Sequence, residues 1–573
     1  VTARIRLIAP LSIILVILMH TSSTAMSVFV SPNGNDLDPG TAQLPFATLA
    51  RAQQAARAAG PGARVVLRAG THCLAEPLRF DARDSGHTYE ALTGETSVVS
   101  GGLRITGWKQ SGSVWEAPLA LHDPIRDLYV NARRAVRARA PNAGFHTGLT
   151  STDGLTITFP PGQLHRWSNP DDVELATIVE WTSAHARLKD AVVDLKQNQI
   201  RFPRLALTFF DMAWAGHIRT NAPNYLYHFE NAPELLDAPG EWYFDRARNL
   251  IRYRGGKPDA IATRLEQLIV VDGATNLTFR GLTFSHTDWR LPEDGFLPLQ
   301  TCVTVAMQNE ALIHDVSAPA ALRFVRAVRC RVENCRLTHL GATALSVEAG
   351  SRDCHITGNV VEDVGGNGIQ LGEINSTSPQ PADLVKDNSI AHNTVRHCGV
   401  TLRGSAGIFV ALAEGTLIAH NEVSDLPYSG ITIGWRWDRQ PTQARRNRVE
   451  FNHVHHVAQL LADGGGIYTL GVQPESVMRG NLLHDIVRKS GLAPVNGLFM
   501  DNGTSGWRIE GNASYNVPEG GYRYNQTGAA FGQTGPQHQP LGENFFDLQP
   551  DRLPANLVAL VGPKLNMKQE KMR

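Results

Sequence analysis

A short phrase returns along the second half of this chain: an apolar residue, two others, Asn, one more, then an apolar residue. Copies centre on Asn334, Asn359, Asn393, Asn421, Asn452, Asn481 and Asn512, at successive spacings of 25, 34, 28, 31, 29 and 31 residues. An earlier copy, Leu277 to Phe284, carries Gly281 in the Asn place. Spacings this uneven exclude a rigid helical repeat. They suit coils of constant cross-section joined by loops of variable length. A second phrase follows most copies, Gly and then apolar residues in alternation: Gly368-Ile369-Gln370-Leu371, Gly407-Ile408-Phe409-Val410, Gly430-Ile431-Thr432-Ile433, Gly466-Ile467-Tyr468-Thr469 and Gly497-Leu498-Phe499-Met500. Alternation of period two marks short strands.

One such coil cannot bury its own apolar residues. Stacked about 4.8 Å apart, identical positions superimpose into interior columns. Asn at one corner of every layer can bond its neighbours above and below and tolerates the left-handed backbone of a sharp corner. The expectation is an all-β chain: a right-handed parallel β-helix, with an N-terminal capping helix and an inserted β-rich, sandwich-like domain. The helix is expected after the Asn33-Gly34-Asn35 turn, with Leu49, Ala52 and Ala56 at helical spacing, hiding the open end of the stack. The expected division is a signal peptide over 1–25, cap and first coils over 26–102, the inserted domain over 103–262, the site-bearing β-helix over 263–535 and a polar tail over 536–573.

Residues 1–25 read as an export signal: Arg4 and Arg6, an apolar run from Leu7 to Leu18, then small residues at Ser23-Thr24-Ala25. A secreted or periplasmic protein follows, with no membrane contact after cleavage. The 54 basic and 54 acidic side chains cancel, which argues against a nucleic-acid partner. The six cysteines form no CxxC pair and read as buried thiols. No metal motif and no cofactor fingerprint stands out, so none is expected. The expected partner is a polysaccharide or oligosaccharide, bound by a monomer.

A stack of strands presents outward side chains on a rigid surface, which suits an extended polymer. Glycoside hydrolysis needs two carboxyl groups flanking the scissile bond. The best pair is Asp463, before Gly464-Gly465-Gly466, and Asp501, after Phe499-Met500 in the next coil. The three glycines are expected to leave room for substrate against the backbone. Asp463 precedes its strand and Asp501 follows its own, so the Asp463 turn must fold back over the face. Further outward candidates for substrate contact are Glu373, Trp435, Arg436, Trp437, Tyr468, His484 and Asn502. Aromatic faces there suit sugar rings.

At these residues the sequence resembles glycoside hydrolase family 141. The matching phrases are Asp463-Gly-Gly-Gly-Ile-Tyr-Thr-Leu-Gly471 and Gly497-Leu-Phe-Met-Asp501-Asn-Gly-Thr-Ser505. Ser31–Asp36, Leu128–Asn131, Glu230-Asn231 and Gly240–Asp245 support them. The resemblance implies a β-helix enzyme with an inserted β-rich domain, an α-L-fucosidase or xylanase activity on plant cell-wall polysaccharide, and Asp463 and Asp501 as the catalytic pair. Relatives commonly carry an acidic pair followed by Gly-Ser-Ser at the second motif. Here Asn502 and Thr504 stand in its place, so either the substrate differs or the second acid is dispensable. Two other readings remain: a lyase or epimerase, kept open by Arg436 and Arg439, and a non-catalytic glycan-binding adhesin.

Overall fold

The computed structural model describes residues 26–119, 125–151, 155–203, 226–293, 295–296, 298–308, 311–525 and 542–563. The expected signal peptide lies outside the described residues. Three long parallel sheets, of eleven, ten and ten strands, run the length of the stack. Each coil gives one strand to each sheet, and register is kept rung by rung. One interior column runs Leu345, Ile369, Ile408, Ile431, Ile467, Leu498, all fully buried. Another runs Ile356, Ile390, Ile418, Val449, Met478, Ile509. These columns merge into one apolar core along the stack. Such a parallel sheet buries its inward face completely, which is why the inward positions read as β-branched and leucine residues.

The corner asparagines form a ladder. From Asn359 through Asn393, Asn421, Asn452, Asn481 and Asn512 to Asn544, each side-chain amide donates to the next Asn Oδ1 at 2.8–3.0 Å. The same amides donate to backbone carbonyls inside the corner, as Asn421 does to Ile390. Two early copies are displaced by one position. Val332 pairs Ile356 and Leu337 pairs Val361, so Cys335 holds the ladder position and Asn334 faces Gly358. Gly281 likewise matches Asn334. Both Asn334 and Gly358 have positive φ, which explains why Asn and Gly alternate there. The ladder also reaches one coil further than the repeat suggested, to Asn544. The described residues 542–563 pack on the stack, with a short helix at Ala555–Leu560 burying Leu557.

The helix Leu49–Ala59 forms as expected and buries Leu49, Ala52 and Ala56 against the first strands. Thr48 caps it, accepting from Arg51 N at 3.2 Å. The chain leaves the stack after strand Ser97–Ser100 and re-enters at strand Ile269–Asp272. The coil is closed across that gap, since Ser97–Ser100 pairs Thr283–Ser285. The excursion builds four small, mostly antiparallel sheets with cores of their own. Arg126, Arg137 and Glu174 lie buried there and are joined, together with the partly buried Glu230, at 2.5–3.1 Å. None of the six cysteines is bridged; five are buried and Cys73 is exposed.

Candidate active site

The site forms where two coils and the inserted domain meet. Strand Gly464–Thr469 pairs strand Val495–Met500, which pairs strand Tyr522–Tyr524. Ile467, Leu498, Thr469 and Met500 point inward, so Tyr468, Phe499 and Arg523 form an outward column. Asp501 is the next outward position after Phe499, and Asn525 stands beside it one coil further on.

Asp463 sits before its strand in the left-handed region, φ 54°. A Cβ on Gly465 would lie 2.2 Å from the Asn496 carbonyl oxygen, and one on Gly464 2.4 Å from Ser429 Oγ. The glycines therefore seat this turn against neighbouring coils; they are buried and do not open the backbone to substrate. That corrects the expectation, because close packing of backbone on backbone fills the space. The inserted domain completes the turn. Its hairpin Glu174–Val179/Thr182–Arg187 reaches the stack at its tip, where the Glu180 carbonyl accepts from Ala462 N at 2.8 Å. The Glu180 carboxylate accepts from Leu492 and Ala493 N at 3.0 and 3.1 Å. Trp181 Nε1 and Thr182 Oγ1 donate to the carbonyls of Leu299 and Pro298.

The two acids have unlike surroundings. Asp501, 3 % exposed, accepts from Tyr468 Oη at 2.5 Å and Asn525 Nδ2 at 2.6 Å, and from the Asn502 backbone. Among the described residues the Asp463 carboxyl has no hydrogen-bond donor; only its carbonyl is engaged, by Tyr428 Oη at 2.8 Å. Burial, then the charge of Asp501, then that of Glu180, push Asp463 up to about 8. Burial also raises Asp501, and the Tyr468, Asn525 and Asn502 donors oppose it. The two carboxyls thus lie within reach of one another's charge, although each stands at the opposite end of its paired strand. Burial holds the Tyr428 and Tyr468 phenols well above their ordinary range, so both remain donors. Hydrogen bonds to a charged form favour it, and burial without them disfavours it. Of the pair, Asp463 therefore keeps the proton and Asp501 the charge.

The other sequence candidates divide. Tyr468 is at the site as Asp501's donor. Asn502 adjoins it, with a buried Oδ1 that has no partner among the described residues. Trp437, half-buried, packs against Tyr468, Leu470 and Phe499. Trp435 is buried with Phe409 and donates from Nε1 to Asp315 at 2.8 Å, so it props Trp437 at 4.9 Å and offers no free face. Arg436 is paired with Asp438. Glu373 caps its own loop, accepting from Ile374 and Asn375 N. It lies four rungs from Asp501, ~19 Å at about 4.8 Å per rung. His484 belongs to a different sheet, on strand Leu482–His484, and is not brought to the acids. Sequence reasoning missed Tyr428, Asn525, Arg523 and Glu180. Asn525 was within reach, because Gly521-Tyr522-Arg523-Tyr524-Asn525 repeats the register of Gly497 to Asp501. Glu180 comes from a remote hairpin and carries no local signal.

Comparison with known proteins agrees with this architecture. A family model described as the right-handed β-helix region matches residues 267–433 and 320–514. A second, the GH141 insertion domain, matches residues 112–255. This chain is a family 141-like glycoside hydrolase built on a right-handed parallel β-helix. A solved structure entitled "Glycoside hydrolase" is 25 % identical to this family 141-like chain, covering 96 % of it and 100 % of the other, at TM-score 0.82. A complex of XylC with xylose (14 % identical, 86 % and 69 % covered, TM-score 0.46) and pectate lyase Pel9A (9 %, 86 % and 70 %, TM-score 0.35) are far more distant and do not inform the site. No curated protein matches the sequence.

Proposed function

We propose that this glycosidase cleaves a bond in a plant cell-wall-type polysaccharide, in the manner of an α-L-fucosidase or xylanase, with Asp463 as general acid and Asp501 as nucleophile or general base. The observation that carries this reading is the contrast between the two carboxyls. Environments that drive neighbouring acids apart separate the proton donor from the ionised partner. Asp463, protonated to about pH 8 and without a hydrogen-bond donor of its own, is equipped to give its proton to a leaving oxygen. Asp501, fixed by Tyr468, Asn525 and the Asn502 backbone, is equipped to meet the anomeric carbon or a water beside it.

Trp437 supplies an aromatic face beside Tyr468, and the Oδ1 atoms of Asn502 and Asn525, without a partner among the described residues, are acceptors for sugar hydroxyls. The plant-polysaccharide class rests on the family resemblance. The signal-like residues 1–25 support a secreted or periplasmic protein that meets its polymer outside the cytoplasm.

The test is turnover of aryl glycosides and cell-wall oligosaccharides by the wild-type chain and by Asp463→Asn and Asp501→Asn. The reading expects hydrolysis that each variant abolishes while oligosaccharide binding persists. Unsaturated, ultraviolet-absorbing products would mark an eliminating enzyme instead. Binding without turnover in the wild type would mark a glycan-binding protein.

A further inference from the structure

A second cluster of chemistry-bearing side chains lies on another of the three sheets, apart from the acids. Strands Glu422–Ser424, His453–His455 and Leu482–His484 are consecutive rungs. Val423, Val454 and Leu483 fill their inward positions and are fully buried. Their flanking residues therefore face outward together. Register places Glu422 beside His453, and His455 beside His484.

The ligand atoms converge. Those of Glu422, His453 and His455 all lie within 4.8 Å of one another. His484 Nε2 is 2.7 Å from His453 Nε2, and His455 Nε2 is 3.6 Å from Glu422 Oε1. The far sides of two rings are already held. His484 Nδ1 meets Asp485 Oδ2 at 2.6 Å, and His455 Nδ1 meets His456 Nδ1 at 2.8 Å. The His455 and His484 rings are stacked, 4.9 Å apart and 4° from parallel. A ring whose Nδ1 donates to a carboxylate turns a bare Nε2 lone pair outward, the usual preparation of a metal-bound imidazole. Two Nε2 atoms face to face can share only one proton, whereas one cation satisfies both lone pairs.

We propose that Glu422, His453, His455 and His484 bind a divalent transition-metal ion of the zinc class, clamping three successive coils. Imidazole with one carboxylate suits zinc, and a closed four-ligand set is structural in type. Metal–nitrogen bonds near 2.0–2.1 Å put tetrahedral ligand atoms about 3.3 Å apart. His484 lies outside that 4.8 Å group and stacks parallel to His455, so one of these two rings must turn to bring all four atoms to that spacing. The residues come from no sequence motif, since each strand contributes only one or two.

The experiment uses the full chain, stripped with a chelator and dialysed. Zinc titration followed by calorimetry is expected to give one equivalent bound, and cobalt(II) in its place the visible absorption of a four-coordinate ion. The His453→Ala/His484→Ala variant is expected to lose the bound equivalent and the cobalt spectrum. Asp485→Asn, a milder change that leaves all four ligands, should weaken zinc about tenfold or more. Asp501→Asn should bind zinc as the wild type does, which separates this site from the proposed catalytic one. A stripped wild-type chain that takes up no zinc at micromolar concentration, or variants that bind it undiminished, would overturn the assignment.

Discussion

Tyr468 Oη donates to Asp501 Oδ2 at 2.5 Å across one rung of the stack, from the outward position paired with Phe499. The contact joins adjacent coils and stabilises the ionised form of the acid that Asn525 also holds. Among the described residues its partner Asp463 has no comparable donor, and this asymmetry underlies the assignment of roles.

Removing the Tyr468 hydroxyl leaves Asp501 buried with one donor fewer. A hydrogen bond to a charged group contributes about 1.5–3 kcal/mol. Tyr468→Phe is therefore expected to lower kcat by about ten- to a hundredfold and to move the acidic limb of the pH–rate profile to higher pH, because protonated Asp501 becomes easier to form. Steady-state kinetics across pH check both.

Asp463 sets the alkaline side. Activity should fall as pH rises through about 8, where the acid loses its proton. Stability follows the same group. Below 3.8 the carboxyl is protonated in both folded and unfolded chains; between there and about 8 only the folded chain keeps the proton. Stability therefore declines with rising pH across this window and levels off above it. Asp463→Asn should flatten that decline and unfold later at neutral pH than the wild type, measured by denaturation at a series of pH values.

Glu180 links the inserted domain to this titration. Its charge raises Asp463, and its carboxylate holds the backbone of Leu492 and Ala493. Glu180→Gln is expected to shift the alkaline limb to lower pH. An alkaline limb unmoved by this change would detach the inserted domain from the chemistry.

The asparagine ladder makes a separate stability prediction. Asn421 is buried; its amide donates to Asn452 Oδ1 and the Ile390 carbonyl, and its Oδ1 accepts from Asn393. Asn421→Ala leaves each of these groups without its partner inside the corner. The expected cost is about 3 kcal/mol or more, read as a lowered denaturation midpoint.

Much of the scaffold was legible in the sequence because stacking superimposes like on like. Each Ile–x–Ile phrase reports its own inward positions, and each corner Asn reports its ladder. The frame slipped by one at Asn334 and Gly281, where a positive-φ residue precedes the ladder position and carries the same turn signature. Asp501 could be placed outward by counting from Leu498 and Met500. Asp463 could not, since its position depends on a turn held by Tyr428 and on Glu180 from a hairpin nearly three hundred residues earlier in the chain. Trp435 and Trp437 looked equivalent in sequence, yet Trp435 is buried and Trp437 only half-buried. Burial of Trp435 is decided by Phe409 on the preceding coil and by Asp315 on a strand outside the three long sheets. His484 looked like a sugar contact because outward alternation alone does not say which sheet a residue faces.

The central claim is that Asp463 gives the proton to the leaving group. Its most direct test is the leaving-group dependence of Asp463→Ala on aryl glycosides. The account predicts a severe loss of kcat/KM on poor leaving groups and near wild-type values on dinitrophenolate, which departs without a proton. Equal losses on both would contradict it.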